Sequence, residues 1–242
     1  MPSPDALTRS DKAKLTRLSR DLVAWAANNG RLFPWRSNAA TTYQKITVEV
    51  LLQRTTATAV AGIYDDFFSR FPDWDALAGA SPVELEEFLR PLGLWRRRAA
   101  ALIGLARYAA GTGGAFPSDA NDHIAIPAVG QYVSNAILLF HHGRAAPLLD
   151  VNMARVIERA VRPRRLADIR HDPWLQAAAK WFARGATSVE VNWAVLDFAA
   201  LVCKARRPVC EACPVNAYCA FFQRAKSSGV PLATLVATIE RR

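Results

Sequence analysis

The stretch Ile126-Pro127-Ala128-Val129-Gly130 decides the fold of this chain, because it reads as a tight turn between two short helices. Gly130 can adopt a positive φ and lets the backbone approach a ligand closely. The N–H groups that open the following helix point outward with the positive end of its dipole, which suits a phosphate group. The turn therefore predicts a phosphate site at Ile126, Ala128 and Gly130. The alternative is a plain corner between two helices.

The chain around this turn is strongly basic. It has 242 residues with 31 Lys and Arg against 21 Asp and Glu, a formal net charge of +10, and only six of the 31 are lysines. Arginine favours planar, bidentate contacts with phosphate. A basic excess of this size in a folded chain indicates a polyanionic partner, most often nucleic acid. A basic surface that serves solubility is the alternative.

Apolar residues recur at helical spacing on both sides of the turn, and no run alternates as a β-strand would. Hydrophobic residues make up 51% and charged residues 21% of the chain, which excludes a disordered protein. We therefore predict an all-α fold. The first predicted helix follows Ser10, which would cap it. The other predicted helices span residues 46–55, 58–71, 82–93, 95–111, 119–125, 132–141, 152–161, 173–184 and 189–203. The tail after Phe222 is not assigned.

Two features of the sequence bear on its compartment. No apolar run approaches the roughly 18 residues that a membrane helix needs. Residues 1–10 lack the basic head and apolar centre of a signal peptide. We expect a cytoplasmic protein without a membrane partner.

Asp150 stands directly before a predicted helix, in the run Leu148-Leu149-Asp150-Val151-Asn152. An aspartate in that position usually caps the helix. A capping aspartate can still expose one oxygen, so Asp150 is also a candidate carboxylate that faces a functional site.

Glu49 is the one acidic residue in the otherwise apolar helical stretch 47–52. Burial among apolar groups raises the pKa of a carboxyl group toward the range useful for an acid catalyst. Glu49 is therefore a candidate proton donor. The alternative is that it faces solvent or pairs with an arginine such as Arg36 or Arg54.

All four cysteines lie in one short segment, with the spacing Cys203-x6-Cys210-x2-Cys213-x5-Cys219. In a cytosolic protein this spacing predicts a metal centre and not disulfides. Structural zinc usually takes two separated Cys-x2-Cys pairs, and only one such pair exists here. A [4Fe–4S] cluster tolerates uneven loops, so the spacing favours that cofactor, with zinc as the alternative.

Together these motifs resemble the helix-hairpin-helix DNA glycosylases of the endonuclease III superfamily, also called the HhH-GPD family. The resemblance covers residues 33–219. It rests on the turn 126–130, on the cysteine spacing, and on Asp150, which stands at the position of the family's catalytic aspartate. The implied partner is double-stranded DNA with a mismatched or modified base, bound by a monomer that associates with the nucleoid.

The resemblance implies a helical fold with two lobes. The central lobe would span residues 38–150, with the helix-hairpin-helix at 126–141. The terminal lobe would combine residues 1–37 with 151–242 and carry the cluster loop at 203–219.

Ala128 departs from the family pattern, which usually has glycine at this position. If the backbone there needs a positive φ, alanine costs stability and changes the shape of the hairpin. Alanine at position 128 is therefore expected to alter the strength of the contact with phosphate, but not to remove it.

The branch of the family is indicated by Tyr132 and by the stretch 49–56. Relatives that also cleave the DNA strand carry lysine at the position of Tyr132. No lysine lies between Lys45 and Lys180, so the usual Schiff-base nucleophile is missing. The stretch 49–56, Glu-Val-Leu-Leu-Gln-Arg-Thr-Thr, is similar to that of thymine-mismatch glycosylases, and Tyr132 is typical of that branch.

Adenine glycosylases have a similar glutamate followed by Gln-Gln-Thr. They usually carry a further C-terminal domain, for which too few residues follow Cys219. We therefore predict a monofunctional glycosylase that releases thymine or uracil opposite guanine and leaves an abasic site. The alternatives are an adenine glycosylase, a glycosylase for a modified pyrimidine, and a DNA-damage-binding module without catalytic activity.

The resemblance assigns catalytic roles to three residues. Asp150 would stabilise positive charge on the sugar and orient the attacking water. Glu49 would hydrogen-bond the base and supply a proton, and Tyr132 would pack on the base. The residues expected to fill the space of the flipped nucleotide or to contact the DNA backbone outside the hairpin are Gln53, Arg54, Leu94, Trp95, Arg96, Arg97 and Arg98. Core packing is the alternative for Trp95.

Overall fold

A computed structural model describes residues 6–163 and 168–240, with only the backbone described for residues 238–240. Thirteen α-helices and three short 3₁₀ helices lie in these ranges, which contain no β-strand. The predicted all-α fold is therefore confirmed. The predicted terminal lobe also includes residues 1–5, 164–167 and 241–242, which lie outside the described residues.

The bounds of the helices follow the chain. The α-helices are α1 (Arg9–Asn29), α2 (Thr42–Leu51), α3 (Ala57–Ala61), α4 (Tyr64–Arg70), α5 (Trp74–Ala78), α6 (Pro82–Leu89), α7 (Trp95–Gly111), α8 (Gln131–Phe140), α9 (Val151–Val161), α10 (Pro173–Phe182), α11 (Ser188–Leu201), α12 (Ala220–Ser228) and α13 (Leu232–Glu240). The 3₁₀ helices are Pro34–Arg36, Arg90–Leu92 and Asp122–Ala125.

The start of α1 differs from the prediction, which placed the cap at Ser10. Thr8 caps the helix instead, because its hydroxyl accepts a hydrogen bond from the Asp11 N–H while the Asp11 carboxylate accepts one from the Thr8 N–H. This reciprocal pair is a capping box.

Two predicted helices are shorter or divided in the structure. The stretch 58–71 forms α3 and α4, because Thr56 caps α3 and Gly62 ends it. The stretch 119–125 forms only the 3₁₀ helix Asp122–Ala125. Ser81 precedes α6, but its side chain makes no capping hydrogen bond. The proline at the first position starts this helix without one.

The tail after Phe222, which was not assigned, contains the end of α12 and all of α13. Its apolar side chains pack together in a small cluster of Phe221, Ala225, Leu235 and Val236.

The chain divides into two compact units, which we name by their motifs. The hairpin unit is Leu32–Arg144, with α2 to α8. The cluster unit combines Met1–Arg31 with Ala145–Arg242 and holds α1 and α9 to α13. The predicted boundaries lie a few residues later, so Asp150 belongs to the cluster unit and not to the unit of the hairpin.

The core of the hairpin unit lies along α7, against which α2, α5 and α6 pack. It is rich in aromatic side chains, including Trp35, Tyr64, Phe67 and Phe68. In the same unit α2 packs on α8, which places residues of these two helices side by side.

In the cluster unit, α1 packs against α9, α10 and α11. The buried stripe Leu15, Leu18 and Leu22 gives α1 its inner face. The fully buried Asn192 accepts a hydrogen bond from Leu148 N (2.6 Å) and donates one to Ala146 O (3.0 Å). These bonds hold the backbone just ahead of Asp150.

We find no helix, in the ranges that the structure describes, with the length and apolarity needed to cross a membrane.

Candidate functional site

Within the hairpin 126–130, Ala128 has a left-handed backbone conformation, with φ of +63°. The expected positive φ at Gly130 is wrong, because Gly130 has φ −84° and ψ −179°. This glycine is the N-cap of α8, a position that takes extended backbone. No side-chain hydrogen bond caps α8, so the start of this helix keeps the character of an anion site.

Two contacts hold the hairpin in place. The buried His123 ring contacts Ser134 Oγ through Nδ1 (2.7 Å) and Pro117 O through Nε2 (2.8 Å). On the other side, a Cβ added to Gly104 of α7 would lie 2.9 Å from Pro127 Cβ. Ile126 is 3% exposed, so only its backbone is available to the predicted DNA contact.

Glu49 and Tyr132 are brought together by the packing of α2 on α8. The Tyr132 hydroxyl donates a hydrogen bond to Glu49 Oε2 at 2.7 Å. Glu49 is 3% exposed and Tyr132 is half-buried. The alternative in which Glu49 faces solvent is therefore excluded.

Three other predicted DNA contacts of this unit, Gln53, Arg54 and Leu94, lie on two short loops, and a fourth, Trp95, is the first residue of α7. Gln53 and Arg54 are exposed in the loop after α2, and Arg54 has φ +58°. Leu94 is 47% exposed with φ +51°, directly before α7. Trp95 is half-buried and packs against the core of the unit, as its alternative interpretation expected.

Of the three consecutive arginines 96–98 that were expected to contact DNA, Arg98 is misassigned. It is 5% exposed, and its guanidinium donates hydrogen bonds to backbone carbonyl groups of the same unit. Arg96 and Arg97 are exposed. Helical spacing distinguishes these faces, but sequence alone did not show which face lies inward.

Asp150 in the cluster unit is the N-cap of α9. Its Oδ1 accepts hydrogen bonds from Asn152 N (2.9 Å) and Met153 N (2.8 Å), and its Oδ2 accepts one from Asn152 Nδ2 (2.6 Å). Burial raises the pKa of the Asp150 carboxyl, and these hydrogen bonds oppose the shift. The carboxylate is therefore held in one orientation and is costly to ionise.

A chain of hydrogen bonds leads from Asp150 to the cysteine loop. Arg155 Nη2 donates to Asn152 Oδ1 (3.1 Å), and Arg155 Nε donates to Cys203 O (2.9 Å). Sequence reasoning missed both Asn152 and Arg155. The signal was available, because residues three apart share one face of a helix.

The four cysteines line one cavity of the cluster unit. Each is half-buried, and none forms a disulfide. Burial, with a smaller contribution from neighbouring cysteines, raises the pKa of the Cys210 thiol to about 11 and that of Cys213 to about 12.

Arg159, also missed by the sequence reasoning, supports this loop from α9. It is 3% exposed and donates hydrogen bonds to Lys204 O (2.8 Å) and Ala205 O (2.7 Å). Its Nη1 lies 3.6 Å from Cys203 Sγ.

Comparison with known families identifies both halves of this arrangement. The model of the HhH-GPD superfamily base excision DNA repair proteins matches residues 47–171. The model of the iron-sulfur binding domain of endonuclease III matches residues 203–219.

Individual relatives agree with these matches. The thymine-DNA glycosylase of Aeropyrum pernix is 35% identical over 88% of this chain and 97% of that protein. The adenine DNA glycosylase of Mycolicibacterium smegmatis is 29% identical over 91% of this chain and 73% of that protein. The solved structure of a thermostable thymine-DNA glycosylase superposes with a TM-score of 0.77 at 27% identity, covering 88% of this chain and 98% of that one.

The hairpin, the helical fold and the cysteine loop thus define a DNA-repair protein with an iron–sulfur cluster. The chain belongs to the HhH-GPD superfamily of base excision DNA repair proteins, so the predicted resemblance and its DNA partner are confirmed at the level of the family. Both sequence relatives are named as DNA glycosylases, which supports the predicted glycosylase function.

The cysteine loop fits the cluster that this family match implies. Four cysteines lining one cavity need a cationic partner to be held together as thiolates, and the iron of a cluster supplies that charge. Cys203, Cys210, Cys213 and Cys219 would hold the cluster.

Proposed function

We propose that this chain is a monofunctional DNA glycosylase that releases thymine or uracil mispaired with guanine and leaves an abasic site. The observation that carries the proposal is the hydrogen bond from the Tyr132 hydroxyl to the buried Glu49 carboxylate. A tyrosine occupies the position at which strand-cleaving members of the family have lysine. The similarity to a thymine-DNA glycosylase over most of both chains supports the choice of base.

The base would be recognised by the pair of Glu49 and Tyr132. Their hydrogen bond orients the Glu49 carboxyl group and the phenol ring together, so a base that stacks on the ring also meets the carboxyl group. The target nucleotide must first leave the helical stack, at a cost of a few kcal/mol. Glu49, in its protonated form, then donates a hydrogen bond or a proton to the departing base.

Asp150 would act on the sugar. When the glycosidic bond breaks, its electron pair leaves with the base and C1′ becomes positively charged, as in glycoside hydrolysis. The ionised Asp150 carboxylate stabilises this charge and orients the water whose oxygen then bonds to C1′, and it accepts the proton that this water releases. The three hydrogen bonds from its own helix hold the carboxylate in place throughout.

The cysteine loop would hold a [4Fe–4S] cluster and not zinc. The cysteine spacing contains only one Cys-x2-Cys pair, whereas structural zinc usually takes two. The match of residues 203–219 to the iron-sulfur binding domain of endonuclease III supports the cluster as well. A monomeric state and a cytoplasmic, nucleoid-associated location stay predictions from the sequence.

A second candidate is an adenine glycosylase that acts on mismatches. It is favoured by the similarity to the adenine DNA glycosylase of Mycolicibacterium smegmatis, which is only slightly lower than that to the thymine enzyme. The two functions differ in the base released, which a substrate panel decides.

The test uses duplexes that contain G·T, G·U, A·8-oxoguanine or a modified cytosine, each analysed with and without alkali. After reaction with the protein, we expect strand breaks at thymine and uracil opposite guanine only in the samples that are then treated with alkali. Strand cleavage before alkali would overturn the monofunctional assignment. Release of adenine without release of thymine would move the protein to the second function.

A further inference from the structure

Arg98, in the first turn of α7, is buried in a way that the proposed mechanism does not explain. Its Nη1 donates to Val50 O (3.0 Å) and Leu51 O (2.8 Å), the last carbonyl groups of α2. Its Nη2 donates to Gln53 O (3.0 Å) and, at 3.4 Å, to Gly93 O. One guanidinium group therefore joins the end of α2, the loop that follows it and the turn before α7.

The charge of Arg98 is balanced by backbone dipoles. Among the described residues it forms no ion pair with an acidic side chain, and its buried Nε has no hydrogen-bond partner. The negative end of the α2 dipole offsets part of the cost. A buried apolar side chain would fill this space without the cost of burying a charge. The hydrogen bonds from Nη1 and Nη2 of Arg98 therefore indicate that the side chain serves to hold these particular carbonyl groups.

Two of these carbonyl groups belong to residues beside strained backbone. Gln53 precedes Arg54, and Gly93 precedes Leu94, and both Arg54 and Leu94 have a left-handed φ. Side-chain-bearing residues hold this conformation only where neighbouring contacts impose it. The same two loops present exposed Gln53 and Leu94 to solvent.

We propose that Arg98 is a positioning residue that locks Gln53 and Leu94 into one rigid, two-pronged wedge, which fills the space that a flipped nucleotide leaves in the duplex. The inference rests on the proposed function. It adds that the two prongs cannot move independently, because one buried guanidinium group holds the backbone of both.

The first experiment measures hydrogen–deuterium exchange in the protein without DNA. Arg98→Met keeps most of the side-chain volume and removes the donors, and Arg98→Lys keeps the charge with fewer donors in reach. Arg107→Met, on the exposed part of the same helix, is the matched control. We expect Arg98→Met to increase exchange in residues 52–56 and 93–95 together, Arg98→Lys to do so less, and the control not to do so.

The second experiment compares single-turnover base release from two duplexes. In one the thymine is paired with guanine, and in the other it is an unpaired bulge that needs no wedge. Misplacement of positioned groups costs about 100-fold in rate, so we expect Arg98→Met to lose about that factor on the G·T duplex and little on the bulge. Arg107→Met should leave the ratio of the two rates unchanged.

A double-mutant cycle tests the coupling itself. In the parent, Gln53→Ala and Leu94→Ala should be non-additive, because each disables the same unit. In the Arg98→Met background their effects should become additive.

Each outcome decides the proposal. Equal loss on both duplexes, or increased exchange in only one loop, would show that Arg98 supports the fold alone and would overturn it. If the parent releases no base from any duplex of the substrate panel, the proposed function fails. The exchange experiment still decides in that case whether Arg98 couples the two loops.

Discussion

Glu49 and Asp150 are carboxyl groups assigned to one reaction, but the chain holds them by different means. Asp150 receives its hydrogen bonds from Asn152 and Met153, at the start of the helix that it caps. Glu49 lies in the last turn of α2 and is bound by Tyr132, 83 residues further along the chain. One group is held by local structure and the other by the packing of two helices.

The difference has consequences for how each group responds to change. The orientation of Asp150 survives any substitution that leaves the first turn of α9 intact. The orientation of Glu49 depends on every contact that keeps α2 against α8. A substitution at Asp150 should therefore change the reaction without changing helix packing, whereas a substitution at Glu49 can affect both.

Asp150→Asn should produce the largest loss of activity. Asparagine caps a helix as well as aspartate does, but it cannot stabilise a positive sugar, so base release should fall by about 10³-fold. Single-turnover kinetics at pH 7 measure this loss. Asp172→Asn, at the cap of α10, is the matched control and should keep the full rate. A fully active Asp150→Asn would reduce Asp150 to a helix cap.

Glu49→Gln should cost less, about 10²-fold, because glutamine keeps an acceptor for the Tyr132 hydroxyl but cannot donate a proton as an acid does. Tyr132→Phe is the companion variant, since it removes the bond between the two residues and keeps the carboxyl group. We expect it to reduce the rate less than Glu49→Gln does. Equal rates for Glu49→Gln and the parent would show that this carboxyl group takes no part in the reaction.

The pH dependence of base release should follow the ionisation of Asp150. Burial raises the pKa of Asp150 above the ordinary value of 3.8. Because the ionised form is the active one, acidification should reduce base release from a higher pH than an ordinary aspartate would allow, by about tenfold per pH unit below the pKa. A rate that stays level down to pH 4 would contradict this assignment.

The raised pKa of Asp150 also determines how this residue affects the stability of the fold. A raised pKa means that folding favours the protonated carboxyl group, so the ionised Asp150 opposes folding, and this cost appears as the pH rises through the raised pKa. At pH 7 the Asp150→Asn variant should therefore unfold at a temperature no lower than the parent. A clear decrease in Tm would show that the charged carboxylate stabilises the fold.

Ala128→Gly should have the smallest effect, an increase in stability. Glycine removes the cost of a left-handed alanine, and its greater freedom in the unfolded chain cancels part of the gain, leaving about 0.5 kcal/mol. Thermal unfolding measures it against Ala125→Gly, at the end of the 3₁₀ helix just before the hairpin, where φ is not positive and glycine should lower the stability. An unstable Ala128→Gly variant would mean that the alanine side chain makes contacts that the hairpin needs.

The contrast between local and distant contacts also explains what could be predicted from the sequence. The cap at Asp150, the spacing of the cysteines and the long helix α7 are local patterns, and each was readable. The division of 58–71 into two helices was not, because a single Gly62 ends α3 inside an apolar run. For the hairpin, the sequence raised a positive φ at both Gly130 and Ala128, and only Ala128 has one.

At the candidate site, residue types were predicted better than partners. Glu49 and Tyr132 were named for separate reasons, and only the packing of α2 on α8 shows that they are bonded. Arg98 was expected in contact with the DNA backbone together with Arg96 and Arg97. Its burial is set by the register of α7 against α2, which no short motif encodes.

Gly104 sets a limit for anyone who engineers this protein for heat resistance. A glycine in the middle of a long helix is an obvious position for alanine, which would gain about 1 kcal/mol of helix propensity. In this chain the added methyl group would collide with Pro127, 2.9 Å away, at the base of the hairpin. An alanine at this position would therefore exchange the geometry of the hairpin turn for a stiffer helix, and Gly104 should be left unchanged.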